Sequence, residues 1–219
     1  MTTCSKYRQY IGQDSLVNVY NIERGGDSMS LMDVKCEESI YITESGYYND
    51  KDKKILLLGK DCYDEYLVYL FFSLPSYAYI KNLKEARLIL FKLPNKEDND
   101  FKLNQKYGSY SVAPLLNFFS IYACMYSPTF IDCDKKTTFR NDCRCSYTEI
   151  DITHIVKAWT KEEIENKGLL LYGNKEAPLV MYASNQYKIE GMRPRLRLVY
   201  EDACIIPCLA SAACTVTVR

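Results

Sequence analysis

Short segments in which apolar and polar residues alternate recur along almost the whole chain. A segment with that period of two buries one row of side chains only when it is extended, because successive side chains of a strand point to opposite faces. Such segments lie at 16–22, 39–43, 54–58, 66–74, 86–93, 147–152, 169–172, 179–183 and 195–200. Turn-forming residues punctuate them: Gly25-Gly26, Ser45-Gly46, Pro94-Asn95, Gly173-Asn174 and Gly191. Many short strands divided by turns predict an all-β fold, an antiparallel β-sandwich of jelly-roll type. The 20 Tyr and 8 Phe agree with this, since aromatic side chains suit a pleated, half-buried surface.

One stretch breaks the pattern. At 153–166, Ile155, Val156, Trp159 and Ile164 keep helical spacing, with Thr153 placed to cap the start and Gly168 following the end. The polar run 95–106 reads as an exposed loop. The expected organisation is an N-terminal arm at 1–35, a sandwich domain at 36–202 and a Cys-rich C-terminal arm at 203–219. The last arm ends in the alternating run Thr215-Val216-Thr217-Val218. A chain of 219 residues can bury a sizeable core in one such domain.

Charge narrows the partners. The 28 basic and 28 acidic residues cancel, which leaves no basic surface of the kind that nucleic acid recruits. A neutral chain repels its own copies weakly, and this suits assembly. Residues 1–20 contain no apolar stretch of signal-peptide length, and the longest apolar runs, 67–74 and 203–213, are too short to span a bilayer. Ten cysteines sit beside that lack of a secretion signal: Cys4, Cys36, Cys62, Cys124, Cys133, Cys143, Cys145, Cys204, Cys208 and Cys214. So many thiols point to metal, redox chemistry or later exposure to an oxidising exterior.

Structural zinc sites use paired Cys-Xaa2–4-Cys halves, and only Cys204 and Cys208 have that spacing, so disulfides are the expected use. Cys4, Cys204, Cys208 and Cys214, on the arms, are the candidates for bonds between subunits. Cys36, Cys133, Cys143 and Cys145 are candidates for other disulfides. Cys62 and Cys124, inside the sandwich, read as small buried hydrophobes. No cofactor or metal is expected.

Several ordered blocks between residues 36 and 201 resemble the DNRLRE domain, a β-sandwich related to carbohydrate-binding modules. Ile40-Tyr41-Ile42-Thr43 resembles its opening strand, and Leu56-Leu57-Leu58-Gly59 its Leu-rich strand ending in Gly. Tyr69-Leu70-Phe71-Phe72-Ser73-Leu74-Pro75 is similar to its Leu-Pro block, and Ile80 with Ala86-Arg87-Leu88-Ile89-Leu90 to the continuation. Asp151-Ile152-Thr153-His154-Ile155-Val156-Lys157-Ala158-Trp159 resembles the strand-to-helix corner. Gly168-Leu169-Leu170-Leu171 and Arg193-Pro194-Arg195-Leu196-Arg197-Leu198 resemble the closing strands. The family's Trp-containing middle segment is replaced here by 107–142, so the resemblance implies a fold and no ligand site. It implies a passive structural or binding module of a cell surface. The cysteine-rich arms without a signal peptide resemble clostridial spore-surface proteins of the exosporium or appendages, made in the mother cell and cross-linked outside the spore.

Candidate chemistry is sparse. His154 is the single histidine, with Asp151 three residues before it; a carboxylate-held base competes there with a corner residue bonded to backbone. The acidic groups Asp61/Asp64/Glu65 and Glu162/Glu163/Glu165 suggest glycosidase pairs or, more simply, solvating charge. Arg193, Arg195 and Arg197 form either an anion-binding row or the solvated face of a strand. Tyr41, Tyr47, Tyr48, Tyr63, Tyr66, Tyr69, Tyr77 and Tyr79 offer rings for sugars or for the core. The expectation is a non-catalytic, self-assembling subunit of a spore-surface or extracellular layer or fibre, with copies of itself as the principal partner. The alternative is a carbohydrate-binding module of a surface protein, with glycan or other surface proteins as partners.

Overall fold

The computed structural model describes residues 4–10, 16–24, 27–43, 53–76, 82–94, 108–119, 129–142, 144–174 and 177–200, with side chains from residue 30 onward. Among these residues thirteen strands and one α-helix follow in chain order, with a short 3-10 turn at Glu190–Met192 before the last strand. The first seven strands are β1 (Cys4–Tyr10), β2 (Leu16–Arg24), β3 (Asp27–Lys35), β4 (Glu38–Thr43), β5 (Ile55–Lys60), β6 (Glu65–Phe71) and β7 (Leu83–Phe91). Then come β8 (Ser109–Pro114), β9 (Thr137–Arg140), β10 (Tyr147–Asp151), α1 (Thr153–Thr160), β11 (Leu169–Gly173), β12 (Val180–Ala183) and β13 (Arg195–Tyr200).

The strands form two sheets. One has six strands in the order β1-β2-β3-β13-β7-β10; the other has seven, β12-β5-β6-β11-β8-β9, with β4 also on β6. Every pairing between these strands is antiparallel. The all-β sandwich expected from the alternation is the observed architecture. β3, the last strand within the stretch 1–35 read as an N-terminal arm, pairs with β13 and buries Met32 and Val34 in the main core.

Alternation sets the layers. In β13, Leu196, Leu198 and Tyr200 are buried while Arg195, Arg197 and Val199 are half-exposed. These buried residues join Met32, Leu88 and Ile150 of the same sheet and Leu58, Val68, Tyr110 and Leu171 of the other in one cluster. Each fully buried Leu or Val contributes roughly 1.5–3 kcal/mol, so this cluster dominates the stability. The second sheet is apolar on its other face too: Ile40, Ile42, Tyr69, Leu115 and Leu170 form a separate buried cluster. A sheet covered on both faces reads as a continuous apolar run, as Leu169-Leu170-Leu171 does here.

The helix is shorter than expected. It spans Thr153–Thr160, and Glu162 turns the chain into the left-handed region at φ 59°. Ile155, Val156, Ala158 and Trp159 are buried, and Ile164 reaches the core from the turn beyond. Thr153 does not cap the helix. Its hydroxyl donates to Asp151 Oδ1 at 2.6 Å and accepts the Ala86 N–H at 2.9 Å, tying the corner to β7. Gly168 is no helix cap either. It adopts φ +104° beside β11, where a Cβ would lie 2.7 Å from the Leu70 carbonyl oxygen.

Candidate functional site

The expected site consists of cysteines and strand edges, and the fold distributes them widely. Cys4 opens β1, the outermost strand of the first sheet, opposite Ile22 of β2. Among the described residues nothing pairs with the other side of β1. With seven residues, β1 is longer than the other sheet-end strands, β10 with five and β9 and β12 with four each. An unpaired edge presents a row of N–H and C=O groups that another strand can take, and its capacity grows with length.

The described cysteine side chains fall into two kinds. Cys36 is buried just after β3, and its thiol donates to the Glu38 carbonyl at 3.1 Å. Burial pushes this thiol above its ordinary range and favours its protonated form. Cys62, Cys133 and Cys145 are exposed. The exposure of Cys62 corrects the buried-hydrophobe reading: it lies in the turn between β5 and β6, where the chain leaves the sheet and none of the described strands covers it. Cys145 lies in the turn between β9 and β10, where its N–H donates to the Asp142 carbonyl at 3.2 Å. All four of these thiols are free in the described chain. Cys124, Cys143, Cys204, Cys208 and Cys214 lie outside the described residues. Among the described residues no group of three or more His, Cys, Asp or Glu side chains could hold a metal ion.

His154 and Asp151 engage other partners. The His154 Nε2 lies 2.8 Å from the Lys135 carbonyl oxygen, which only accepts, so that nitrogen carries the proton and donates. Asp151 Oδ1 accepts the backbone N–H and the hydroxyl of Thr153. Burial raises the Asp151 pKa, but these bonds and the Arg87 and His154 charges outweigh it and hold the carboxylate below its usual range. The arrangement braces the corner against the loop before β9.

The acidic groups act similarly. Asp61 Oδ1 accepts the N–H of Tyr63 and of Asp64, each at 2.8 Å, while Oδ2 accepts the Tyr66 hydroxyl at 2.8 Å. One carboxylate thus closes the turn that displays Cys62. Glu163 faces Lys135 at 3.5 Å and Glu165 faces Lys167 at 3.0 Å. The arginine row is paired rather than open to an anion. Arg197 holds Asp33 with two bonds, Arg195 lies over the Phe91 ring at 5.1 Å, and Arg193 donates to the Tyr187 carbonyl. Asp33 and Phe91 were invisible to the sequence reading because each is a strand or more away.

Of the tyrosines weighed as a sugar platform, Tyr41 and Tyr69 are buried, Tyr66 packs against Tyr41 and Tyr63 is 87% exposed. Tyr47, Tyr48, Tyr77 and Tyr79 lie outside the described residues. The strands β8 and β9 lie in the segment 107–142 that replaces the family's Trp-containing stretch, and with β1 and β3 they fall outside the segments read as strands from the sequence. These observations define the class: a two-sheet antiparallel β-sandwich in which, among the described residues, β1 ends its sheet without a second partner strand and Cys62, Cys133 and Cys145 are exposed and free. No protein-family model matches the chain, and no curated protein matches it in sequence.

Proposed function

We propose that this chain is a non-catalytic structural subunit that assembles with copies of itself into a spore-surface or extracellular layer or fibre. Strand addition at the sheet edge holds neighbours, and intermolecular disulfides lock them. The observation that carries this reading is the edge of β1, seven residues long with Cys4 at its end, which no second strand among the described residues covers. An added strand gains a ladder of main-chain hydrogen bonds, and Cys4, Cys204, Cys208 and Cys214 supply covalent partners nearby in sequence to the two ends of the sandwich. Lys6 and Arg8 within β1 discourage indiscriminate pairing, as charged residues do on natural edges. The exposed thiols of Cys62, Cys133 and Cys145 are further points for cross-links. The ordered blocks similar to the DNRLRE domain support a passive surface module, and the cysteine-rich character supports the spore surface.

A second reading, glycan binding, is favoured by two exposed rings on adjacent segments. Phe118 and Phe130 are 62% and 58% exposed, and the Leu116 N–H bonds the Phe130 carbonyl between their segments. Denaturing electrophoresis of protein concentrated in air, with and without reductant, separates the two. A ladder or gel-excluded material that collapses to one band on reduction is the expected outcome. A single monomer band in both lanes overturns covalent assembly and moves glycan binding to first place.

A further inference from the structure

The first sheet ends in two strands of opposite charge. At one end β1 holds Lys6 and Arg8 and no acid; at the other β10 holds Glu149 and Asp151 and no base. Main-chain bonding alternates along an antiparallel ladder, so the bonds on one side of a strand fix which groups point to the other side. The Lys92 N–H bonds the Ser146 carbonyl and the Ile152 N–H bonds the Ala86 carbonyl. That phase directs the N–H and C=O groups of Tyr147, Glu149 and Asp151 away from β7. In the β3–β13 ladder the Cys36 N–H bonds the Pro194 carbonyl. Carried through the registers of β3, β2 and β1, the same alternation directs the main-chain groups of Lys6, Arg8 and Tyr10 away from β2. Among the described residues no strand meets either outer row.

We infer that β10 of one copy receives β1 of the next, in the register that sets Tyr147 opposite Tyr10, Glu149 opposite Arg8 and Asp151 opposite Lys6. Direction permits it. All neighbours in this six-stranded sheet are antiparallel, so β1 and β10 run oppositely, and copies set side by side in one orientation bring the two together antiparallel. Tyr147, Glu149 and Asp151 are exposed on β10. Charge selects the partner and the register. Two copies of β1 would bring basic residues together and two copies of β10 acidic ones, whereas the unlike edges attract. Sliding the register by two residues either way keeps one of the two charge pairs, and sliding it by one puts the outward main-chain groups out of step.

The pairing rests on the reading of strand addition at β1 and names the strand that receives it. It needs no disulfide. Because the two joined edges differ, the contact leaves a fresh β1 and a fresh β10 at the ends of every assembly, and growth continues into a filament or closes only as a ring. Each copy contributes six strands, so at 4.7–4.9 Å per strand the joined sheet advances by about 28 Å per copy.

The test keeps the full-length protein in reductant, so that cross-links contribute nothing, and follows mass against concentration by light scattering. The natural protein is expected to polymerise. Glu149→Arg, which then meets Arg8, and Arg8→Glu, which then meets Glu149, should each raise the midpoint concentration roughly fivefold or more. An equimolar mixture of the two variants should polymerise near the natural midpoint, because each finds its complement in the other; a folding defect would not be repaired by mixing. Natural protein that stays monomeric, dimers that grow no further, polymers indifferent to both substitutions, or a mixture no better than its components overturns the pairing. Protein that is monomeric in reductant yet gives a reducible ladder in air loses the pairing and keeps covalent assembly. Protein that forms neither loses both.

Discussion

Arg197 grips Asp33 across the β3–β13 pair, Nε to Oδ1 at 2.9 Å and a second guanidinium nitrogen to Oδ2 at 3.1 Å. The register explains why this pair matters. Arg197 is directly opposite Asp33 on one side and Arg87 on the other, and Arg87 is opposite Asp151. Two arginines face each other at the centre of the sheet, an arrangement that costs stability unless acids flank it. Asp33 serves Arg197, and Glu85 and Glu149 serve Arg87. Arg197→Lys keeps the charge but loses the two-pronged geometry. With both partners partly solvated, it should cost about 0.5–1.5 kcal/mol, read as a lower urea midpoint with an unchanged slope.

Trp159 anchors the helix. It is 2% exposed, and its indole nitrogen has no hydrogen-bond partner among the described residues. Removing that N–H therefore breaks no bond, while removing the ring opens a cavity. Trp159→Ala should cost about 3–5 kcal/mol and Trp159→Phe clearly less. Thermal melts followed by circular dichroism decide this; equal losses for both variants would show that the nitrogen matters more than the volume.

The thiols should separate by reactivity. Burial suppresses the Cys36 thiolate, whereas Cys62, Cys133 and Cys145 are open to solvent. Brief treatment of the folded protein with iodoacetamide is expected to label those three and spare Cys36 until denaturant is added. Peptide mass spectrometry gives the answer, and early labelling of Cys36 contradicts its burial.

Acid should loosen the turn that displays Cys62. Burial raises the Asp61 pKa, but the N–H groups of Asp64 and Tyr63 and the Tyr66 hydroxyl more than offset it, and the folded carboxyl titrates below its ordinary value of 3.8. A group depressed in this way binds its proton more readily when unfolded. Its contribution is present above the unfolded pKa and is lost as pH falls through the folded one. Urea midpoints measured from pH 5 down to pH 2 should fall for the natural protein. Asp61→Asn keeps an acceptor for the backbone but has no charge to lose, so it should reduce that slope. Parallel curves for the two proteins would assign the acid sensitivity to other groups.

Local alternation is a property of neighbouring residues, which is why β13, β4 and the start of α1 were legible in the sequence. Arg195–Tyr200 sorts itself into a buried and an open row whatever strand lies beside it, because its side chains alternate by covalent geometry. The sandwich class follows from many such segments. Register and layer order are decided only when distant segments meet. Nothing near Arg197 in sequence marks Asp33 as its partner, 164 residues away. Nothing near Cys62 marks it as exposed, since the missing cover belongs to other strands. The helix stops at Thr160 rather than 166 because Glu162 turns the chain and returns Ile164 to the core, a tertiary demand that outweighs helical spacing. The place of β1 at the end of its sheet, three strands from β13, exists only because β2 and β3 intervene in that order. Alternation along one strand specifies which residues are buried; pairing between strands specifies which ends, charges and thiols meet.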